Sequence, residues 1–246
     1  SPHLIDFRER IRVDRVMIAE QQVADLTARL REAIAPDLTP TFFELTTAMA
    51  LLHFAESGVD VAVLEVGMGG RFDATNVVEP VACAITTIGL DHQEYLGQTL
   101  GAIAFEKAGI IKPGVPVVIG RIEGEAWDMI AQVARERSAP VFRLGYDFHT
   151  SGAGPDEFTY VGPVTQADRL HVALAGAHQL DNAGCAVALI KAAGARGLPV
   201  SIEAVRRGLA TVTWEGRLEL VDRHPAVLLD GAHNPAAAAV LAAYVR

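Results

Sequence analysis

The chain reads as an α/β protein, with a mostly parallel sheet covered by helices on both faces. Three observations predict this. Short apolar runs rich in Val and Ile recur at residues 59–66, 81–88, 115–119 and 141–144. Segments of helical length separate them, and glycine or proline turns punctuate the changes. Largely apolar runs without a strict polar alternation, separated by helices, are the pattern of strands buried between two helical layers.

Taken in order, residues 16–34 have helical periodicity and stop before Pro36. Thr41 and Glu44 are spaced as a capping box, so a helix starts there and runs to about residue 57, ended by Gly58. The strand at 59–66 leads into a glycine turn, and 81–88 forms a second strand. A helix over 99–111 ends at Lys112-Pro113-Gly114, before a third strand at 115–119. Residues 125–137 form a helix and 141–144 a strand. Between 150 and 176 the pattern changes to short strands and turns, including 157–161 and 169–174, which predicts an antiparallel annex. Ala-rich 178–193 and then 201–210 are helical. Strand character restarts at 217–221 and 226–229, and Asn234-Pro235 opens a last helix as N-cap and first residue. A domain boundary is placed near Thr213, giving domains over 1–213 and 214–246. The chain starts inside patterned sequence and stops in a helical pattern, which reads as a piece of a longer protein.

Composition narrows the function. Half of the 246 residues are hydrophobic, enough for a sizeable core, and the net charge is −9 without any Lys/Arg run. Nucleic-acid binding, which needs a basic face, is therefore not expected. The longest apolar runs are too short to span a bilayer. Two cysteines, Cys83 and Cys185, form no disulfide framework or CxxC site, so a reducing, cytoplasmic setting is the default.

The chemistry concentrates in residues 64–112, LEVGMGGRFDATNVVEPVACAITTIGLDHQEYLGQTLGAIAFEKAGIIK. Glu65 ends a strand, where a carboxylate points into the crevice in which such sheets bind ligands; alone, a solvent-exposed Glu is as good a reading. GMGGRFDATN is a turn whose glycines permit close approach of backbone to a ligand, followed by Arg71 and Asp73. It is not a phosphate-cradling GxxxxGK(S/T) loop, and none occurs in this chain. Asp91-His92 follows the second strand, and a neutral imidazole there can ligate a metal. Lys107 sits in a helix after Glu106; the ordinary reading is a surface lysine. To act as a ligand its amine must lose a proton, which burial favours. A neutral amine can take up carbon dioxide, and the carbamate is an oxygen ligand for a hard divalent ion. Arg217 and the turn DGAHNP, with Asp230 and His233, flank the second domain, in a strand–loop–helix setting suited to a ribose and a phosphate.

These blocks resemble the bacterial folylpolyglutamate synthase/dihydrofolate synthase family of the Mur ligase superfamily. LEVGMGGRFDATN, TTIGLDHQEYLGQTLGAIAFEKAGIIKPG and LLDGAHNP look like its signatures; SPHLIDFRERIRV and TPTFFELTTAMALL are also similar. The Asp-His pair and helical Lys are common to Mur ligases, whereas GGRFDATN and EKAGIIK look folate-type. The resemblance covers essentially the whole chain. It implies a Mur ligase central ATPase domain lacking its P-loop part, plus the start of a Rossmann-like C-terminal domain, so the isolated 246 residues are expected to be inactive.

The implied reaction is ATP-dependent joining of L-glutamate to dihydropteroate or to the γ-carboxylate of folates. ATP phosphorylates the carboxylate, the glutamate amine attacks the acyl phosphate, and phosphate leaves. Bringing a carboxylate to ATP opposes like charges at roughly 4 kcal/mol per unit pair at 4 Å and an effective dielectric of 20, which Mg2+ and cationic side chains must offset. By resemblance Ser1, Glu65, His92 and a carbamylated Lys107 hold Mg2+, with K+ as a further ion. Thr41, Phe42, Phe43, Glu44, Phe72, Asp73 and Ala74 line the pteroate pocket. Asn182, Arg217, Asp230 and His233 contact ATP. A monomer is implied. A peptidoglycan Mur ligase acting on UDP-muramyl substrates, and a non-catalytic nucleotide-binding module, remain the alternatives; GGRFDATN speaks against the first, and the set Glu65, His92 and Lys107 against the second.

Overall fold

The computed structural model describes residues 3–163 and 165–246. They form two compact units, the first ending at Val78 and the second running from Glu79 to Arg246.

The first unit begins with a 3-10 turn, Phe7–Arg10, capped by Asp6. The carboxylate of Glu9 accepts the backbone N–H groups of Leu4, Ile5 and Asp6 at 2.8, 2.9 and 2.7 Å. Those bonds hold the Glu9 carboxyl at about 2, and the Arg8 guanidinium, bonded to Asp6, brings that carboxyl to about 2 as well. Strands β1 (Arg12–Val13) and β2 (Val16–Met17) form a hairpin around Asp14 and Arg15, both with positive φ, as a two-residue I′ loop requires. The helix expected over 16–34 therefore starts later, as α1 at Glu20–Ala33. Val16 and Met17 satisfy their backbone across the hairpin instead, and Ile18 N–H reaches the carbonyl of Ile11 at 2.9 Å. Ile11, Ile18, Leu26 and Met49 make the core of this unit. Helix α2 (Phe42–Ser57) has the capping box foreseen for Thr41 and Glu44, and ends at Gly58 with φ 63°.

The strand expected at 59–66 does not form. These residues have no ladder partner among the described residues, and Val61 and Val63 are 55% and 90% exposed. A strand exists only where a neighbour supplies its hydrogen bonds, so an apolar run alone is insufficient.

In the second unit β3 (Cys83–Ile85) leads through the short α3 (Gln93–Leu96) and α4 (Leu100–Ala108) to β4 (Val117–Ile119). Helix α5 (Gly124–Glu136) then leads to β5 (Val141–Arg143). The three strands are parallel, in the order β3-β4-β5. They are shorter than expected: β3 is trimmed at both ends, β4 starts two residues late, just after Pro116, which has no N–H to pair, and β5 starts at Val141 as expected but ends one residue early. The carbonyls of Pro116 and Pro140 accept the N–H groups of Cys83 and Val117. Along β4 the side chains alternate. Val117 and Ile119 pack with Ala104, Ala108 and Ile130 of α4 and α5, while Val118 packs on the opposite face with Phe148, Tyr160 and Val187. The sheet is thus covered on both faces, as the apolar runs predicted.

The antiparallel annex is β6 (His149–Gly154), β7 (Glu157–Gly162) and β8 (Thr165–Leu170). Its last strand lies earlier than the expected 169–174, because Arg169 turns to φ 53° and Leu170 closes the ladder against Phe158. Helix α6 (His178–Gly194) lies against this layer so closely that a Cβ on Gly184 would meet Thr150 Cγ2 at 2.8 Å. Helix α7 (Ile202–Ala210) has Ser201 as its cap. Strands β9 (Glu219–Arg223) and β10 (Ala226–Leu229) form an antiparallel hairpin. The first begins two residues later than expected because Leu218 has φ 47°. Helix α8 (Pro235–Val245) follows with Asn234 as cap. Among the described residues no helix is long and apolar enough to cross a membrane.

Candidate functional site

The first unit carries the residues expected around a flat aromatic substrate. At the head of α2, Thr41 Oγ1 accepts the Glu44 N–H at 3.2 Å and donates to Glu44 Oε2 at 2.8 Å. The Thr41 backbone N–H also donates to that carboxylate, at 2.6 Å. This backbone bond, then the hydroxyl, lowers the Glu44 carboxyl below its ordinary range. The Phe43 ring lies on the backbone of the glycine turn: a Cβ on Gly67 would stand 2.6 Å from its Cζ. Only glycine allows that approach. Asp73 braces the same turn, accepting from the backbone N–H of Met68 and Thr75, both at 2.9 Å, and from the Thr75 hydroxyl at 2.6 Å. It thereby caps the 3-10 turn Ala74–Val77. Phe42 and Phe72 are 61% and 83% exposed, and the Arg71 guanidinium stands 4.2 Å from the Phe72 ring centre. So Phe43 and the glycine turn are brought together, and two aromatic rings remain open to solvent. Glu65 is exposed. Ser1 lies outside the described residues.

The second unit gathers two sequence blocks that are 143 residues apart. Asp91 follows β3; its Oδ2 accepts the side-chain N–H of Asn234 at 3.0 Å, and its Oδ1 the backbone N–H of His92 at 2.9 Å. The Asn234 bond is the largest influence holding the Asp91 carboxyl below its ordinary range. His92 Nε2 and His233 Nε2 each stand 3.9 Å from this carboxylate. His92 has a left-handed backbone, φ 48°, where α3 begins. His233 Nδ1 lies 2.8 Å from the carbonyl of Gly231; a carbonyl only accepts, so Nδ1 donates and Nε2 of the neutral ring keeps its lone pair. Lys107 is half-buried in the last turn of α4.

A second cluster surrounds the head of α6. Asn182 donates to Gln179 Oε1 at 3.0 Å, which turns the Gln179 amide nitrogen toward His178 Nε2, 3.1 Å away. Burial lowers the His178 pKa below its ordinary 6.5, with Asp230 opposing and Arg217 adding to the effect. An amide nitrogen only donates, so Nε2 of His178 is the acceptor in this contact. Arg217 lies over the DGAHNP turn, where a Cβ on Gly231 would come within 3.1 Å of its Nη1. Asp230 accepts backbone N–H groups from Leu218 at 3.0 Å and Ala232 at 2.9 Å, so it shapes this turn as well as charging it. Asn182 thus bonds to Gln179 beside His178, and Arg217 and Asp230 act on the His178 ring electrostatically. His178 and Gln179 stand in the same AHQLDNA block as Asn182, where their neighbourhood was the available signal. Arg121, just past β4, grips Asp181 of α6 with two bonds of 2.8 Å. That pair has no signature in the sequence.

A parallel sheet thus carries an Asp-His pair beyond β3, bonded through Asn234 to the strand–turn–helix that begins α8. Residues 18–190 match the Mur ligase middle domain, and the chain belongs to that family. Within it, the chain is 40% identical to the dihydrofolate synthase/folylpolyglutamate synthase of Bacillus subtilis, over 95% of this chain and 57% of that protein. Its structure is similar to an FPGS–AMPPCP–folate complex, with a TM-score of 0.96 and 36% identity over 100% of this chain and 62% of the other. It is likewise similar to Escherichia coli FolC in complex with DHPP and ADP, with a TM-score of 0.90 and 36% identity over 99% and 56%. The chain therefore spans less than two thirds of the length of each of these relatives.

Proposed function

We propose that this chain is the core of an ATP-dependent ligase that joins L-glutamate to dihydropteroate, to the γ-carboxylate of reduced folates, or to both. The observation that carries the reading is the meeting of Asp91-His92 with His233 and Asn234 at the crest of the sheet. The names of the relatives supply the substrate class. Residues 1–213 belong to a central ATP-binding domain and 214–246 to the beginning of a C-terminal one. The protein acts as a cytoplasmic monomer; the net charge of −9 argues against a nucleic-acid partner.

The open rings of Phe42 and Phe72 offer faces for a pterin to stack on, and the Phe43–Gly67 contact fixes the wall beside them. The cluster of His178, Gln179 and Asn182 presents donors and acceptors to adenine. Arg217 and His233 face the phosphates, where a guanidinium and an imidazole lower the cost of bringing a carboxylate to them. By the resemblance, Ser1, Glu65, His92 and a carbamate on Lys107 are the residues that would hold a metal ion, mostly through oxygen. Such hard donors would suit Mg2+, which takes few protein ligands. When bound, the ion neutralises charge on the transferring phosphoryl group. The substrate carboxylate takes the γ-phosphoryl group of ATP and ADP departs. The glutamate amine then attacks the acyl carbon, the carbon–oxygen bond to phosphate breaks, and a proton leaves the nitrogen.

The test is phosphate release by the intact ligase with Mg-ATP and glutamate. Release that requires dihydropteroate establishes dihydrofolate synthesis; release only with tetrahydrofolate establishes tail extension alone. No release with either pterin overturns the proposal and returns a UDP-muramyl substrate to the front. Lys107→Ala should abolish turnover, and small carboxylic acids should restore part of it. Full activity in that variant would remove Lys107 from the site.

A further inference from the structure

Asn234 does two things at once. Its Oδ1 accepts the Ala237 N–H at 2.9 Å and so caps α8, while its Nδ2 donates to Asp91 Oδ2 at 3.0 Å. The two partners are of opposite kind, one a donor and one an acceptor, so they fix the orientation of the amide. His233 is the preceding residue, and its ring is oriented through Nδ1 by the Gly231 carbonyl. Asp91 in turn is anchored by the backbone N–H of His92. The contacts from the carboxylate to the two imidazoles, both 3.9 Å, are too long to be hydrogen bonds. The Asn234–Asp91 bond is then the contact that sets where His233 stands relative to His92. It joins the turn after β10 to the loop after β3.

We propose that Asp91 is a positioning residue, a latch that holds the turn carrying His233 in register with the loop carrying His92 by accepting the side-chain N–H of Asn234. Its effect on turnover rests on the ligase reading above; its effect on the two loops does not. The bond joins an amide to a carboxylate, so it is charge-assisted and directional. It is also reversible by design, because aspartate caps a helix as well as asparagine does. Asn234→Asp therefore keeps the α8 cap, removes the donor and sets a second carboxylate against Asp91. Combined with Asp91→Asn, the introduced amide can donate to the introduced carboxylate, and the bond returns with its direction swapped.

The experiment uses the intact ligase as wild type, N234D, D91N and the double variant. Two measurements are made: amide hydrogen exchange over residues 88–97 and 230–238, and kcat/KM for ATP. N234D should speed exchange in both segments while Ala237 stays protected. It should lower kcat/KM for ATP about tenfold, mostly through KM, a coupling of ordinary size for contacting residues. The double variant should recover both readouts, leaving kcat/KM within about threefold of wild type. A merely structural loss at either position would add in the double variant rather than cancel. Unchanged exchange in N234D, or a double variant as impaired as the sum of its parts, overturns the latch. If no pterin supports turnover but exchange follows the swap, the ligase reading fails and the latch stands.

Discussion

Residues 61–66, VAVLEV, and 115–120, VPVVIG, are close in composition, yet their fates are opposite. Val117, Val118 and Ile119 are each fully buried, paired on both edges and packed on both faces. Val61 and Val63 stand in solvent without a ladder partner among the described residues. A β-branched apolar run records what can be buried. What buries it comes from elsewhere in the chain: β3 and β5 at the edges of β4, α4 and α5 on one face, α6 and β7 on the other. Stability should therefore be concentrated along 115–120 and nearly absent along 61–66.

Substitutions can break that contrast. Ile119→Ala removes a branched side chain from a closed core and should cost about 2–5 kcal/mol in urea unfolding. Gly120→Ala comes next. A Cβ there would stand 2.0 Å from the Thr86 carbonyl oxygen, so backbone must shift, at about 1–3 kcal/mol. Thr41→Ala removes a cap outside both runs and should cost about 1 kcal/mol, read from the same transition. Val63→Ala in the 246-residue chain should stay within about 0.5 kcal/mol of wild type. A loss of several kcal/mol at Val63 would show that 61–66 is buried in solution, and the contrast would fall.

The smallest effect is local and depends on pH. Folded, Asp6 and Glu9 both lie at about 2, below their ordinary 3.8 and 4.5. Their bonds are then complete at neutral pH and weaken as pH falls from the ordinary carboxyl range toward 2, when the folded groups take up protons. Amide exchange at Leu4 and Ile5, corrected for its intrinsic pH dependence, should lose protection across that window. Protection that is flat down to pH 2 would contradict the assignment. His178 acts at milder pH. Burial lowers its pKa, so the unfolded chain takes up its proton first, and the stability it allows declines as pH falls below 6.5.

Local signals were legible where one short stretch carries the whole cause. Thr41 with Glu44, Gly58 after α2, and Asn234-Pro235 before α8 each announce a helix end, because capping is satisfied within a few residues. The Asp14-Arg15 turn was not legible. It takes positive φ at two residues that carry side chains, where glycine or asparagine is the usual mark. The absent strand at 59–66 shows the other limit, since pairing is a property of two segments. The site divides in the same way. Asp91-His92 and DGAHNP were visible as blocks, and the Asn234–Asp91 bond that joins them spans 143 residues and leaves no pattern in either. His178 and Gln179 were hidden behind Asn182 because an uncharged hydrogen-bond relay has no spacing rule.

Oxygen transfer tests the ligase reading most directly. The pterin substrate is prepared with 18O in the carboxylate that is to be coupled, and turned over by the intact ligase with Mg-ATP and glutamate. Passage through an acyl phosphate requires one carboxylate oxygen to leave with phosphorus. Each released phosphate should then carry one labelled oxygen for every amide bond formed. Product formed alongside wholly unlabelled phosphate would contradict carboxylate activation by phosphoryl transfer, and with it the roles given to Lys107, His92 and Arg217.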